Sequence, residues 1–319
     1  MFSSFCLYKL DPSSNELLLS TSFWDELAKV NLIVPFSELP EKLAHGVDKI
    51  EGFTFAVPAL GGKEINYHAE EFTILNYCFE TKKVKPAILR RTIAKLEKIA
   101  LAECGQPFIS KEKKKEIKAL ATAHELRRAV EDRVETLIVI NRHKHWIAFG
   151  AGSEKKCEAI AASIRKLIGS FPVVQISSAA ASTIFTDWVK SGETPENSDL
   201  SDSCTLMSTK TESVTSYKKH HLASDSEVLK NIENFKEVVT ISLRIGELED
   251  EYGYVSCSIS DSLKVSGFKF KINSEDNQSD DVLNKISTET FLFCSNISMI
   301  YEFIEDNILN YTVSTDEFS

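Results

Sequence analysis

The sequence predicts an α+β fold with mixed, largely antiparallel sheets and amphipathic helices. Segments rich in aromatic and β-branched residues, such as 70–81, 133–140 and 172–177, predict strands, and they alternate with segments whose apolar residues recur at helical spacing. Short connections between neighbouring strands indicate antiparallel hairpins. The 319 residues exceed one typical domain, and 43% apolar residues with 26% charged residues are ordinary for a globular protein.

The first 81 residues predict an N-terminal α+β part (1–81). Residues 5–10 (FCLYKL) predict a strand, whereas residues 22–30 (SFWDELAKV) predict a short helix with Ser22 as its N-cap. Prolines and a glycine pair make residues 31–64 rich in loops. Residues 70–81 predict the next strand.

Residues 82–190 predict a central α+β part that opens with two amphipathic helices. The first begins near Pro86, which suits a first helical turn, and ends near Cys104, where Gly105 can adopt a left-handed cap. The second covers about residues 110–130. Its residues predicted to face a core are Ile117, Leu120, Ala121, His124 and Leu126. The further elements are strands near 133–140, 145–149 and 172–177, and helices at 153–168 and up to Val189.

Residues 191–319 predict an acidic C-terminal α+β part. Residues 191–203 are polar and contain Gly and Pro, so they are the best candidate for a linker. Ser224 and Glu227 form a capping-box pattern that predicts the start of a helix. The other elements are short strands within 204–217, strands at 237–246, 252–259, 263–271 and 291–295, a loop at 273–281, and a closing helix at 297–309.

Charge is distributed unevenly along the chain. Residues 82–166 contain 21 Lys and Arg against 10 Asp and Glu, a net charge of +11, whereas the other 16 basic and 37 acidic residues give −21 and bring the whole chain to −10. A basic stretch of this kind is typical of a surface that binds phosphates. A solvated helix face with ion pairs four residues apart explains the same charges equally well.

Two groups of basic residues are candidate phosphate contacts. Those on the predicted helices are Arg90, Arg91, Lys113, Lys114, Lys115, Lys118, Arg127 and Arg128. The second group, Lys218, Lys219 and His220, precedes a predicted helix in the acidic part, where lysines can contact phosphates as point charges. A plain exposed loop accounts for the second group as well.

No pattern of catalytic or metal-binding residues emerges. The segment Gly150-Ala151-Gly152-Ser153 lacks the third glycine of a dinucleotide fingerprint, so we interpret it as a tight turn with a Ser N-cap. The pairs His143/His145 and His220/His221 have no Cys, Asp or Glu cluster at ligand spacing beside them. We therefore predict no enzyme activity, no cofactor and no metal.

Cysteine usage and hydropathy predict a cytoplasmic protein. The seven cysteines are odd in number, widely spaced and never form a CxxC pair, which suits reduced thiols better than disulfides. The N-terminus lacks the basic and apolar regions of a secretory signal, and no apolar run approaches the roughly 18 residues that a membrane helix needs. We expect no membrane partner.

Several segments resemble the bacterial recombination-associated RdgC family. They are KPAILRRTIAKLEK (85–98), IRKLIGSFPVVQIS (164–177), TDWVKSG (186–192), SYKKHHLASDSEVLKNIENFKEVVTISL (216–243) and SLKVSGFKF (262–270). They stand in the order that the family shows. The resemblance covers roughly residues 84–270 well and the first 80 residues weakly.

The resemblance implies a homodimer that closes at two interfaces into a ring, with a positively lined hole wide enough for duplex DNA. It also implies little sequence preference, association with the nucleoid, and competition with RecA for DNA. Lys218 and Lys219 match the family's lysine pair implicated in DNA contact, and His220 stands where the family typically has Gln. Val130 stands where the family has an aromatic residue proposed to engage DNA or the dimer gate.

Two other functions stay open. A protein–protein adaptor that keeps this fold without binding DNA is favoured by Val130 and by the acidic C-terminal part, which has 7 basic and 19 acidic residues from Leu222 onward. A nuclease or other metal enzyme would need a carboxylate cluster, and the sequence shows none at a recognisable spacing.

Overall fold

The computed structural model describes residues 1–11, 13, 16–40, 46–57, 64–104, 108–250, 252–272 and 282–310. These residues form two antiparallel β-sheets and seven α-helices, which confirms the predicted α+β class. The predicted loop at 273–281 and the predicted helix cap at Gly105 lie outside the described residues. The division into three parts at residues 81 and 190 stays a prediction.

The first sheet consists of β1 (Cys6–Leu10), β2 (Lys49–Thr54), β3 (Tyr67–Ala69), β4 (Phe72–Lys82), β5 (Glu131–Asn141), β6 (Trp146–Phe149) and β7 (Val173–Gln175). Its order is β2-β4-β5-β6-β1-β7, and β3 pairs with β4. The longest ladder joins β4 and β5 along their whole length, from Phe72 opposite Asn141 to Lys82 opposite Glu131.

The second sheet consists of β8 (Ser198–Ser208), β9 (Val214–Lys218), β10 (Lys236–Gly246), β11 (Tyr254–Ser260) and β12 (Val265–Phe270), in the order β12-β11-β10-β8-β9. It joins the first sheet next to β1. Phe5 and Val265 exchange two backbone hydrogen bonds of 2.9 and 3.0 Å, and the Phe268 amide donates to the Ser3 carbonyl at 2.9 Å. The residues before β1 therefore belong to both sheets.

The helices are α1 (Thr21–Val30), α2 (Pro86–Cys104), α3 (Lys111–Arg128), α4 (Glu154–Ile168), α5 (Ala181–Ser191), α6 (Ser226–Glu233) and α7 (Val282–Ile304). A 3₁₀ turn at Glu16–Leu19 precedes α1, and a π-helical turn at Glu305–Leu309 follows α7. The N-cap position of α1 is Ser20 and not the predicted Ser22, so the cap lies two residues earlier than the sequence pattern indicated.

Both faces of the first sheet are buried, because its central strands alternate two sets of apolar side chains. In β6, Ile147 and Phe149 pack with α1 and α4 on one face, whereas Trp146 and Ala148 join a larger core on the other face. The larger core also contains the inner face of the second sheet and residues of α5, α6 and α7. One continuous apolar core therefore holds the two sheets together.

The helices α2 and α3 form a helical hairpin between β4 and β5. The Thr92 hydroxyl of α2 donates to Glu125 Oε1 of α3 at 2.7 Å. The buried side chains of Ala100, Ile117 and Leu126 belong to neither of the two main cores. The hairpin thus has a small core of its own, and the β4–β5 ladder connects it to the rest of the protein.

The predicted core face of α3 is partly wrong. Ile117, Ala121 and Leu126 are buried as predicted, but Leu120 is 63% exposed and His124 is exposed too. The prediction assumed the wide apolar face of a helix that packs on a large core. A helix that packs mainly on one partner helix buries a narrower stripe.

Two element predictions in the C-terminal part are wrong. Residues 291–295 (FLFCS) lie within α7 and not in a strand, because Phe293 and Cys294 continue the buried side of a helix that includes Ile297 and Ile300. A short apolar run has no period that separates a strand from a buried helix. Residues 198–203, predicted as linker, begin β8, because their backbone pairs with β10 from Ser198 opposite Ile245 to Leu200 opposite Leu243.

An ion network stiffens the β4–β5 ladder between the core and the hairpin. Arg133 of β5 donates to the Glu80 carboxylate of β4 at 2.6 Å and to Glu135 at 2.8 Å. It also donates to the Thr54 hydroxyl of β2 at 3.1 Å. The Glu80 side chain is only 4% exposed, and its second oxygen accepts the Phe36 amide at 3.0 Å. A buried carboxylate of this kind needs its cation.

Replacing Arg133 by Ala is expected to lower the free energy of unfolding by about 2 to 3 kcal/mol, because buried Glu80 would lose its charged partner. The loss should stay below that of a fully buried pair, since the Arg133 side chain is 36% exposed. Urea denaturation followed by circular dichroism measures the change. The control is Lys9→Ala, whose exposed ion pair with Glu305 is 4.0 Å long; it should change stability by no more than about 0.5 kcal/mol. Equal losses of unfolding free energy in the two variants would contradict a stabilising role for the Arg133–Glu80 ion pair.

Candidate nucleic-acid interface

The predicted contacts Lys218, Lys219 and His220 lie where the edge strand β9 ends. Lys218 closes β9 opposite Ser203 of β8, and it is exposed. Lys219 has a φ of 63°, in the left-handed region, so the chain turns away from the strand at this residue. The His220 amide then donates to the Asp202 carbonyl at 3.1 Å, which fixes the loop against β8.

Asp225 ties this loop to the helix that follows it. Its Oδ1 accepts the amides of Glu227 at 2.8 Å and Val228 at 3.2 Å, so Asp225 is the N-cap of α6. Its Oδ2 lies 2.5 Å from His220 Nδ1. The hydrogen bond from His220, followed by the two amide hydrogen bonds, lowers the pKa of the Asp225 carboxyl from its ordinary value. The predicted capping role of Ser224 is therefore wrong by one residue.

A polar cleft of about 700 Å³ opens beside this loop. Its ionisable lining residues are Lys219, His220, His221, Arg244, Asp199 and Asp202. The Arg244 guanidinium pairs with the Asp199 carboxylate and lies 5.9 Å from the ring centre of Tyr254. A phosphate at this cleft would meet a lysine, imidazole N–H donors and a guanidinium, which are the groups that proteins use to contact nucleic-acid backbones.

The other predicted contacts lie on the helical hairpin. All of them are exposed: Arg90 and Arg91 on α2, and Lys113, Lys114, Lys115, Lys118, Arg127 and Arg128 on α3. Lys113 forms an ion pair with Glu116 at 3.1 Å, as a solvated helix face would. The other members of the group form no ion pair with any residue that the structure describes. The hairpin therefore presents unpaired cations to solvent.

The two basic groups occupy separate surfaces. The lining of the cleft comes from residues 192–244 and includes no hairpin residue. The hairpin extends from β4 and β5 of the first sheet, whereas Lys218 ends the outermost strand of the second sheet. The chain therefore presents a basic hairpin and a basic cleft that do not merge into one site.

Large apolar side chains are also exposed on the hairpin and on its connections. They are Ile88, Ile99, Phe108, Leu120 and Val130. Val130 is 88% exposed at the end of the hairpin. Exposed apolar side chains concentrated on one element are typical of a protein–protein contact surface.

The glycine-rich segment and the histidine pairs have structural explanations. A Cβ atom at Gly150 would lie 2.2 Å from the Phe2 ring, so the close approach of that ring requires glycine. Ser153 occupies the N-cap position of α4 as predicted, although its side chain makes no capping hydrogen bond. His143 and His145 lie in the turn between β5 and β6.

Sequence reasoning missed Arg244 and Asp225. Arg244 is far from Lys219 in the sequence, and only the pairing of β10 with β8 brings it to the cleft. Asp225 carried a usable signal, because Asp directly before a helix is a favoured N-cap. The nearby capping-box pattern at Ser224 obscured that signal.

No group of three or more His, Cys, Asp or Glu side chains within the described ranges could hold a metal ion. The search for membrane spans covered the same ranges, and it found no helix with the length and apolarity to cross a bilayer.

Fold and site together define an α+β protein with two separate basic surfaces, one of which, the helical hairpin, also exposes apolar side chains. Residues 46–307 match the protein family described as "Putative exonuclease, RdgC". Since this match covers most of the chain, the chain belongs to the RdgC family, and the predicted resemblance is confirmed.

Curated relatives carry the name "Recombination-associated protein RdgC". The relative from Actinobacillus pleuropneumoniae serotype 5b (strain L20) is 27% identical over 233 residues, which are 73% of this chain and 74% of that protein. The relative from Shewanella halifaxensis (strain HAW-EB4) is 28% identical over 289 residues, 85% of this chain and 93% of that protein. The family description thus names an exonuclease, whereas the names of these relatives describe an association with recombination.

Asp225→Ala is expected to lower the midpoint of thermal unfolding at neutral pH, because α6 loses its N-cap and His220 loses its partner. Ser224→Ala is the matched control and should leave the midpoint unchanged. The folded-state pKa of Asp225 is depressed, so its stabilisation is present at neutral pH and is lost as the pH falls through that pKa, below the ordinary value of 3.8. The difference between the wild type and Asp225→Ala should therefore shrink in strong acid. A larger drop in the unfolding midpoint for Ser224→Ala than for Asp225→Ala would show that Ser224 is the N-cap.

Proposed function

We propose that this protein binds duplex DNA through its phosphates, without sequence preference, as a homodimer that closes into a ring around the duplex. The observation that carries the proposal is the pair of basic surfaces on a chain that is otherwise acidic. Outside residues 82–166 the chain has a net charge of −21. An acidic exterior repels a polyanion, so DNA would be confined to the hairpin and to the cleft at Lys219.

The chemistry of the cleft favours backbone contacts over reading of bases. Lysine side chains act as mobile point charges toward phosphate oxygens. Arg244 could read a base edge with its fork-shaped guanidinium, but it is already paired with Asp199. Contacts of this kind bind DNA of any sequence equally well. They weaken steeply as the salt concentration rises, because each neutralised phosphate releases counterions.

Ring closure needs contacts between protomers, and the hairpin offers one. Leu120 and Val130 expose apolar surface on the same element that carries the basic residues. Pairing of two hairpins would bury these side chains and place their lysines and arginines beside the enclosed duplex. An apolar contact is not screened by salt, unlike the phosphate contacts that it would enclose.

A role in recombination follows from the same arrangement. The curated relatives are named as recombination-associated proteins. A closed ring on duplex DNA would occupy the DNA that RecA needs during strand exchange, so the protein would restrain RecA without a contact specific to RecA. On this basis we place it at the nucleoid.

A second candidate function is a protein–protein adaptor on the same fold. The observation that favours it is Val130, because an exposed aliphatic side chain suits a protein partner and cannot stack on a base as an aromatic ring can. A dimer of normal stability that leaves duplex DNA unbound at low salt would decide for the adaptor. Magnesium-dependent degradation of labelled DNA would decide for the exonuclease that the family description names.

Replacing Lys218 and Lys219 by Ala is expected to weaken duplex binding and to flatten the dependence of log K on log salt concentration, by roughly one unit for each phosphate that is no longer neutralised. Fluorescence anisotropy over a salt series measures both effects. The matched control replaces the neighbouring pair Lys155 and Lys156, which is exposed on α4 away from the cleft. Sequence-selective binding that salt does not weaken would contradict the proposal.

A closed ring should stay on circular DNA at a salt concentration that strips it from linear DNA of the same sequence, because only linear DNA has ends to slide from. Loading at low salt, washing at high salt and then cutting the circle measures this retention. Leu120→Glu should abolish retention on the circle but spare low-salt binding, since it places a charge in the apolar contact. Equal loss from circular and linear DNA would contradict encirclement.

A further inference from the structure

The outer face of the second sheet is lined by hydroxyl groups. In β11, Val255, Cys257 and Ile259 point into the core, so Ser256 and Ser258 point outward. The same alternation continues on β8 and β10, where apolar residues such as Leu206 and Leu243 are buried and Ser and Thr residues occupy the opposite face. Serine is not among the residues that strands favour, so propensity does not explain this face.

The outward hydroxyl groups form rows that cross several strands. In one row, Ser258 of β11, Ser242 of β10 and Ser203 of β8 are hydrogen-bonded in sequence, with Oγ–Oγ distances of 2.7 and 2.8 Å. In the next row, Thr205 Oγ1 of β8 and Ser216 Oγ of β9 are hydrogen-bonded at 3.0 Å. The face therefore carries two separate rows of hydrogen-bonded hydroxyl groups.

A chain of three hydroxyl groups has an unused donor. Each hydroxyl group has one hydrogen and two lone pairs, so the two internal hydrogen bonds consume two of the three hydrogens. The third hydrogen is free at whichever end the chain points to, and rotation of the three hydroxyl groups moves it to the other end. Hydrogen bonds in such a chain polarise one another, which strengthens the terminal donor.

This surface is continuous with the basic residues at the end of β9. Ser203 lies directly opposite Lys218 in the β8–β9 register. Ser256 lies opposite Arg244, whose charge is balanced by Asp199. A phosphate bound by Lys218 would therefore lie beside a neutral surface of donors, although the chain from Leu222 onward has 19 acidic residues.

We propose that Ser203 and Ser258, which are linked through the buried hydroxyl group of Ser242, contact the sugar-phosphate backbone of the duplex that Lys218 holds. Hydroxyl groups donate to phosphate oxygens, which are the same at every base pair, so this contact adds affinity without sequence preference. It differs from the lysine contacts in one measurable property. A neutral donor releases no counterion, so its share of the affinity does not depend on salt. The inference rests on the proposed DNA-binding function.

The test compares a triple variant, Ser203→Ala/Ser242→Ala/Ser258→Ala, with the lysine variant Lys218→Ala/Lys219→Ala, by anisotropy on one short duplex over a salt series. The serine variant should raise Kd by about tenfold at every salt concentration and leave the salt slope unchanged, since a hydrogen bond to a charged group is worth about that factor. The lysine variant should reduce the slope. Thr183→Ala is the control, because Thr183 is exposed on α5, which packs against the opposite face of the same sheet.

A second variant, in which Thr replaces the same three serines, keeps the inference testable if the alanine variant does not fold. Threonine keeps the hydroxyl group and suits a strand, so this variant should fold and should keep Kd close to the wild-type value. Unchanged Kd in the folded alanine variant would overturn the inference and leave the proposed function standing. A change in dissociation of the protein dimer, with an unchanged Kd for the duplex, would overturn it too, because the face would then be a protein interface. Absence of binding by the wild type would overturn the proposed function and this inference together.

Discussion

The antiparallel ladder between β4 and β5 is the constraint on which the arrangement of the basic surfaces depends. Its 11 paired positions extend from Phe72 at the sheet centre to Lys82 at the start of the hairpin. Strand β2 supports the hairpin end of this ladder, because it pairs with β4 from Lys49 opposite Thr81 to Thr54 opposite Asn76. Arg133 strengthens it by joining β5 to Glu80 of β4 and Thr54 of β2.

This constraint explains why basic and apolar side chains can share the hairpin without joining the core. The helices α2 and α3 bury little more than the contact between them, so most of their surface faces solvent. An exposed element with apolar side chains such as Leu120 costs solubility unless charges surround it. The lysines and arginines of α3 supply that charge. The same residues therefore keep a free protomer soluble and, in the proposed ring, face the DNA.

Local patterns in the sequence predicted most elements, because helix starts, strand alternation and turn residues act over a few positions. The strand at Phe72–Lys82 and the helix at Pro86–Cys104 are examples. Predictions failed where a distant contact decides the structure. FLFCS became helical because α7 is buried against strands far away in the chain, and Leu120 is exposed because α3 packs on a single helix. At the site, charge located Lys219, but only strand pairing brings Arg244 to it.

The division between lysine and serine at the edge of the second sheet has a physical consequence for the proposed binding of DNA without sequence preference. Cations alone give a contact that disappears as salt rises, and base-reading groups would stop the protein at preferred sequences. The row of Ser203, Ser242 and Ser258 avoids both outcomes. Its hydrogens can rotate at little cost to meet phosphates in different positions, because each hydroxyl group turns about its own C–O bond. In the proposed ring, hydroxyl groups beside the Lys218–Lys219 pair would add affinity for the DNA backbone without fixing the protein at one sequence.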